Sequence, residues 1–166
     1  MSFQSTVRTV QGSGVIGELA NDGPVRATSY TLVSGATDNV VGNAFTVSSE
    51  GVAEAGGTGT FAGILANPKV YASQGTASNT LGATLVLDDY AIGELVTMGT
   101  MYVELDSAAS IGDTVVYDVD DGSLDVISAG ASLPSGFEYA FAKVTGLTVS
   151  SPGIAEITIT ETPDAG

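Results

Sequence analysis

The chain reads as an all-β protein, an antiparallel β-sandwich or a barrel-like domain with little helix, and three observations predict that class. Gly, Ser, Asn, Asp and Pro punctuate the sequence every several residues. Between these marks lie runs rich in Val, Thr, Ile, Tyr and Phe, each about as long as an ordinary strand. No segment sustains the 3.6-residue apolar period of an amphipathic helix. A length of 166 residues suits one domain, or one domain with an arm.

Taken in order, residues 1–25 are rich in small and polar side chains, show little alternation and end at the turn signal Asn21-Asp22-Gly23-Pro24. They predict an extended N-terminal arm ahead of a single β domain over 26–166; the plainer alternative is a terminus without a role. Strands are expected at 26–32, 40–47, 60–65, 101–105, 114–119, 139–144 and 154–160. In the last of these, Glu156, Thr158 and Thr160 alternate with Ala155, Ile157 and Ile159, which points one face at a core. The DDGS stretch between Val119 and Leu124 supplies an Asp-Gly turn flanked by VVYDV and LDVI, the strongest hairpin signal in the chain. Residues 90–98 allow a helical turn or two, interrupted by Gly93. The glycine clusters Gly12-Ser13-Gly14 and Gly56-Gly57-Thr58-Gly59 lack the Lys and Ser or Thr of a phosphate-binding loop and read as flexible connections.

Charge excludes several partners. Nineteen acids face four bases, Arg8, Arg26, Lys69 and Lys143, for a formal net charge of -15. Nucleic acid requires clustered cations that displace counterions, so it is not an expected partner. Anionic membranes are disfavoured for the same reason, and no apolar run approaches the ~18 residues of a spanning helix. Only 14% of residues are charged, below the roughly one quarter usual on a fully solvated surface, so part of this surface is expected to be covered by a partner. The opening MSFQSTVRTVQGSG has neither a cationic nor an apolar secretory region, and cysteine is absent, which suits synthesis in a reducing cytoplasm.

Histidine is absent too, so Ser-His-Asp, Cys-His and His-zinc constellations are excluded and only carboxylates remain for chemistry. Asp88-Asp89 or Glu104-Asp106 would be the candidates for a glycosidase pair. Such a site needs one acid held protonated beside an aromatic-lined cleft, whereas the chain has no Trp and 7% aromatic residues. The acids Asp118, Asp120, Asp121 and Asp125 invite comparison with a calcium loop. Counting from Asp118, however, the sixth and twelfth positions hold Ser123 and Ala129 rather than Gly and Glu, so a hairpin tip is the preferred reading. The expectation is a non-enzyme with no cofactor, no metal and no small-molecule substrate.

One ordered series of motifs remains. It begins with GVIGELANDGPVRATSYTL, in which Gly17-Glu18-Leu19 precede Asp22-Gly23-Pro24 and Arg26, and continues with NVVGNAFTV. It then runs through TFAGILANPKVYA, with Phe61-Ala62-Gly63-Ile64-Leu65 before Asn67-Pro68-Lys69, to ELVTMG, MYVEL and IGDTVVYDVDDGSL. This series resembles the structural cement proteins of tailed bacteriophages. The resemblance implies a small jelly-roll-like or barrel-like protein that decorates the exterior of the mature virion capsid at contacts between major capsid proteins. It implies no catalytic residues, and the low basic content of this chain departs from any contact scheme built on several Lys or Arg.

Partners expected on this basis are the major capsid protein and copies of the chain itself, as dimer or trimer. Candidate contact residues are Gly17, Glu18, Asp22, Pro24 and Arg26 at the root of the arm, Phe61, and the loop of Asn67, Pro68 and Lys69. For that loop a plain turn between strands is the alternative. The rival function is a receptor- or glycan-binding module of a tail fibre or bacterial surface protein. Such parts usually show repeats or clustered aromatics, and the six tyrosines here are scattered.

Overall fold

The computed structural model describes residues 14–68, 86–147, 149–150 and 152–160. Among these residues there is no helix. The strands are β1 (Arg26–Leu32), β2 (Asn39–Val40), β3 (Ala44–Val47), β4 (Val52–Ala55), β5 (Thr60–Leu65), β6 (Val86–Leu87), β7 (Ile92–Leu105), β8 (Thr114–Asp118), β9 (Leu124–Ile127), β10 (Phe137–Gly146) and β11 (Gly153–Ile159). The strands expected at 26–32 and 60–65 form with those bounds, those expected at 114–119, 139–144 and 154–160 shift by one or two residues, and the one expected at 101–105 is the end of a β7 that begins nine residues earlier, at Ile92. The 40–47 run divides into β2 and β3 around Gly42, and β4 and β6 add strands that local composition did not signal.

Nine strands form one sheet in the order β1-β4-β3-β5-β7-β11-β10-β8-β9, and β1 also pairs with β7. That extra pairing closes β1, β4, β3, β5 and β7 into a barrel. Its pairings are antiparallel apart from β1 with β4, where Thr31 and Leu32 lie parallel to Val52 and Ala53. The remaining strands curl from β11 round to β9, where the Asp106 amide, just beyond β7, donates to the Leu124 carbonyl at 3.0 Å. Strand β7 serves both halves. Its residues 92–98 pair with β1 and β5, and its residues 99–105 pair with β11.

Two apolar clusters fill the halves, and β3, β5 and β7 form the wall between them. Ala44, Ile64 and Val96 face one cluster, which continues through Met101, Val103, Val115, Tyr117, Ala155 and Ile157. Their neighbours Phe45, Leu65 and Leu95 face the other, with Leu32, Val41 and Ala53. Strands buried on both faces carry continuous apolar runs, which is why AF, IL and LV stand side by side in the sequence. Each fully buried Leu, Ile or Phe side chain here stabilises the fold by roughly 1.5–3 kcal/mol.

Residues 90–98 are a correction: the helical turn expected there is the start of β7. The period is two, with Ile92 and Glu94 exposed and Gly93 and Leu95 buried, and Gly93 faces the core beside Leu32 and Leu65. Flanking strands on both sides of β7 override weak local helix propensity.

The Asp-Gly hairpin forms as expected, with Tyr117 opposite Leu124 and Val116 opposite Asp125. Its acids cap backbone groups of the turn. Asp118 Oδ1 accepts the Asp120 amide at 2.8 Å, and Asp121 Oδ1 accepts the Ser123 amide at 2.8 Å.

The tip docks on the far half through two glycines. The Ala44 amide donates to the Gly122 carbonyl at 2.8 Å, and the Gly57 amide donates to the Val119 carbonyl at 2.7 Å. Gly122 has a φ of +76°, and any Cβ there would overlap the Ala44 carbonyl oxygen. The Gly56-Gly57 stretch is therefore a close backbone junction rather than the flexible connection its composition suggests. Tyr117 seals this junction by donating its hydroxyl to the Gly57 carbonyl at 3.3 Å. Burial, with the nearby Glu138 charge adding to it, pushes the Tyr117 phenol up to about 12.

Asp89, one of the acids considered for a catalytic pair, instead ties the β2–β6 end to the turn after β1. Its Oδ1 accepts the Ser34 amide and the Asn39 Nδ2 group, each at 3.0 Å, and its Oδ2 accepts the Gly35 amide at 3.2 Å. These bonds, the Ser34 amide first and Asn39 next, hold its carboxyl below the usual 3.8 despite an opposing desolvation effect.

Candidate functional site

Residues 14–25 lie against the barrel, fastened along β7. The Gly17 amide donates to the Tyr102 carbonyl at 2.8 Å, the Tyr102 amide to the Glu18 carbonyl at 2.9 Å, and the Ala20 amide to the Thr100 carbonyl at 2.8 Å. Leu19 opposes Met101 in an antiparallel bridge. The chain then leaves the sheet at 21–25, where Asn21 Oδ1 accepts the Gly23 amide at 3.0 Å, and rejoins β7 as β1.

Gly17 is the pivot of this arrangement. Its φ is +79°, and a Cβ would overlap Val41 Cγ1 and stand 2.8 Å from the Asn67 amide nitrogen. That amide donates to the Gly17 carbonyl at 2.8 Å, and Asn67 Nδ2 reaches the Ile16 carbonyl at 3.4 Å. The segment after β5 is thereby pinned to the segment before β1. Asn67 Oδ1 is buried without a hydrogen-bond partner among the described residues.

Between these segments lies an open cleft of about 950 Å³, and its lining includes Gly17, Glu18, Leu19, Asp22, Val25, Ser29, Asn67, Pro68, Ile92 and Glu94. The structure thus brings Gly17, Glu18, Asp22, Asn67 and Pro68 together, as neighbours of one hollow. Pro24 and Arg26 stand beside it on the chain; Arg26 is opposite Met98, and its carbonyl accepts the Thr97 hydroxyl at 3.4 Å. Phe61 lies elsewhere, half-buried against the larger core, with its ring centroid 5.9 Å from Tyr117 and 5.7 Å from Phe141. Lys69, together with residues 1–13 of the expected arm, lies outside the described residues.

Leu19, Val25, Ile92 and Glu94 were not among the candidate contact residues. The first three are large apolar side chains left 45%, 39% and 65% exposed. A signal for Ile92 existed: it shares the polar face of β7 with Glu94, where alternation calls for a hydrophilic residue. Chemically the cleft offers apolar contact together with three acidic residues, Glu18, Asp22 and Glu94, in its lining. Among the described residues no three His, Cys, Asp or Glu side chains converge as a metal site.

A family model described as structural cement protein (E217 gp24/Pam3 gp6) matches residues 3–160. Among solved structures, a chain of one described as "The capsid of Myoviridae Phage XM1" is similar at 17% identity and a TM-score of 0.65, with 98% of this chain and 100% of that chain covered. No curated protein matches. The chain belongs to the structural cement protein family and is a phage structural protein.

Proposed function

We propose that this member of the structural cement family decorates the outer surface of a tailed-phage capsid and strengthens contacts between neighbouring major capsid proteins without catalysing a reaction. The family match over residues 3–160 carries this reading. The composition supports it, because a chain with 14% charged residues and neither His nor Cys has surface to cover and little catalytic equipment. Cement of this kind acts by multivalency: each copy adds a modest contact, and internal pressure has to break many at once. A second contact between copies of the chain, as dimer or trimer, is part of the same reading. So is synthesis in the host cytoplasm before assembly.

The test is the copy number of the chain relative to the major capsid protein in purified virions, with accessibility of the chain to antibody on intact particles. A ratio near unity or a simple fraction, with antibody bound to intact heads, is expected. A handful of copies per virion located at the tail would overturn the reading and favour a receptor-binding part.

A further inference from the structure

We infer that the cleft between residues 17–25 and 66–68 receives an extended segment of a capsid protein in which Lys or Arg alternates with apolar residues. The inference rests on the capsid reading above and names the surface and the chemistry of the contact.

Leu19, Val25 and Ile92 are exposed in one hollow, and apolar side chains gathered in a cleft mark an interaction site where scattered ones do not. Three acidic residues, Glu18, Asp22 and Glu94, line the same hollow. An occupant that covers the apolar side chains brings its own charges within reach of those acids, and cations are the complementary choice. A second copy of this chain is the wrong occupant, because it carries 19 acids against four bases and would bring like charge to them.

The backbone indicates an extended partner. Leu32 bonds towards the β7 side, its amide to the Ala91 carbonyl and its carbonyl from the Tyr90 amide, while Val33 donates towards β4 at Ala53. Directions alternate along a strand, so Ala27 and Ser29 turn their amide and carbonyl groups away from β7. Among the described residues, strand β4 pairs with β1 only at Thr31 and Leu32, and no other strand pairs with that edge beside Ala27 and Ser29. Ser29 also lines the cleft, so an extended segment entering there meets main-chain groups that have no partner among the described residues, next to the apolar contacts.

The test uses the full chain and capsids assembled without it, with binding measured by sedimentation over a salt series. Variants are Ile92→Glu, the triple Glu18→Gln/Asp22→Asn/Glu94→Gln, and Ser29→Pro, which removes an outward amide while leaving the β7 ladder intact. Ile111→Glu, at a residue 64% exposed and not part of the cleft lining, is the control. Melting temperatures verify that each variant is folded. Each cleft variant should bind about tenfold or more weakly, with the control unchanged and the salt dependence reduced in the triple variant.

A photo-crosslinker at position 92 should capture a Lys- or Arg-bearing stretch of capsid protein. Wild-type binding with all cleft variants within twofold of it would overturn the inference and leave the capsid reading standing. A crosslink to another copy of the chain, or to a stretch without cations, would overturn it as well. Failure of the wild-type chain to bind would remove the capsid reading and this inference together.

Discussion

Asp89 accepts two amides and an asparagine side chain, and its lowered pKa makes it a pH-dependent tie between the β2–β6 end and the turn after β1. The sign follows from linkage. A carboxyl held below 3.8 in the folded chain contributes stability that is present above that value and is lost as pH falls through the folded value. Asp89→Asn keeps the shape but turns an NH2 group towards backbone donors. The variant should melt below wild type at pH 6, and the gap should narrow as pH falls below about 4. A gap that stays constant from pH 6 to pH 3 would mean that the charge of Asp89 contributes nothing.

At the scale of elements, the β8–β9 hairpin works as a clamp because its tip has no side chain where it meets β3. Gly122→Ala would force a Cβ onto the Ala44 carbonyl and strain a residue at φ +76°. A loss of about 2 kcal/mol or more in urea unfolding is expected. Gly130→Ala serves as comparison, since that residue has a similar φ of +81° but nothing among the described residues within 4 Å of where a Cβ would stand. A loss for Gly122 no larger than for Gly130 would show that strain, and not the docked tip, sets the effect.

For the whole molecule, the shared wall ties the two apolar clusters into one cooperative structure. Ile64 and Leu65 are adjacent on β5, each fully buried, yet they face different clusters. Ile64→Ala and Leu65→Ala should each cost about 2–5 kcal/mol. Both should shift one common transition when unfolding is followed by circular dichroism and tyrosine fluorescence. Two separated transitions in either variant would show that the halves fold independently. The charge of -15 acts at this scale too, favouring encounter with surfaces that carry cations.

The sequence by itself determined what depends on neighbours in the chain. Strand class followed from short β-rich runs, the β8–β9 hairpin from Asp-Gly turn chemistry, and the family from an ordered motif series over most of the chain. Gly17, Glu18, Asp22, Asn67 and Pro68 were legible as candidates one by one. Only the tertiary structure decided that they share a cleft, that β7 divides its pairing between two halves, and that Gly56 and Gly122 meet. The physical reason is that these outcomes rest on hydrogen bonds between residues far apart in sequence, such as Gly17 with Asn67 and Ala44 with Gly122. Local patterning chooses a strand but does not specify which edge it joins.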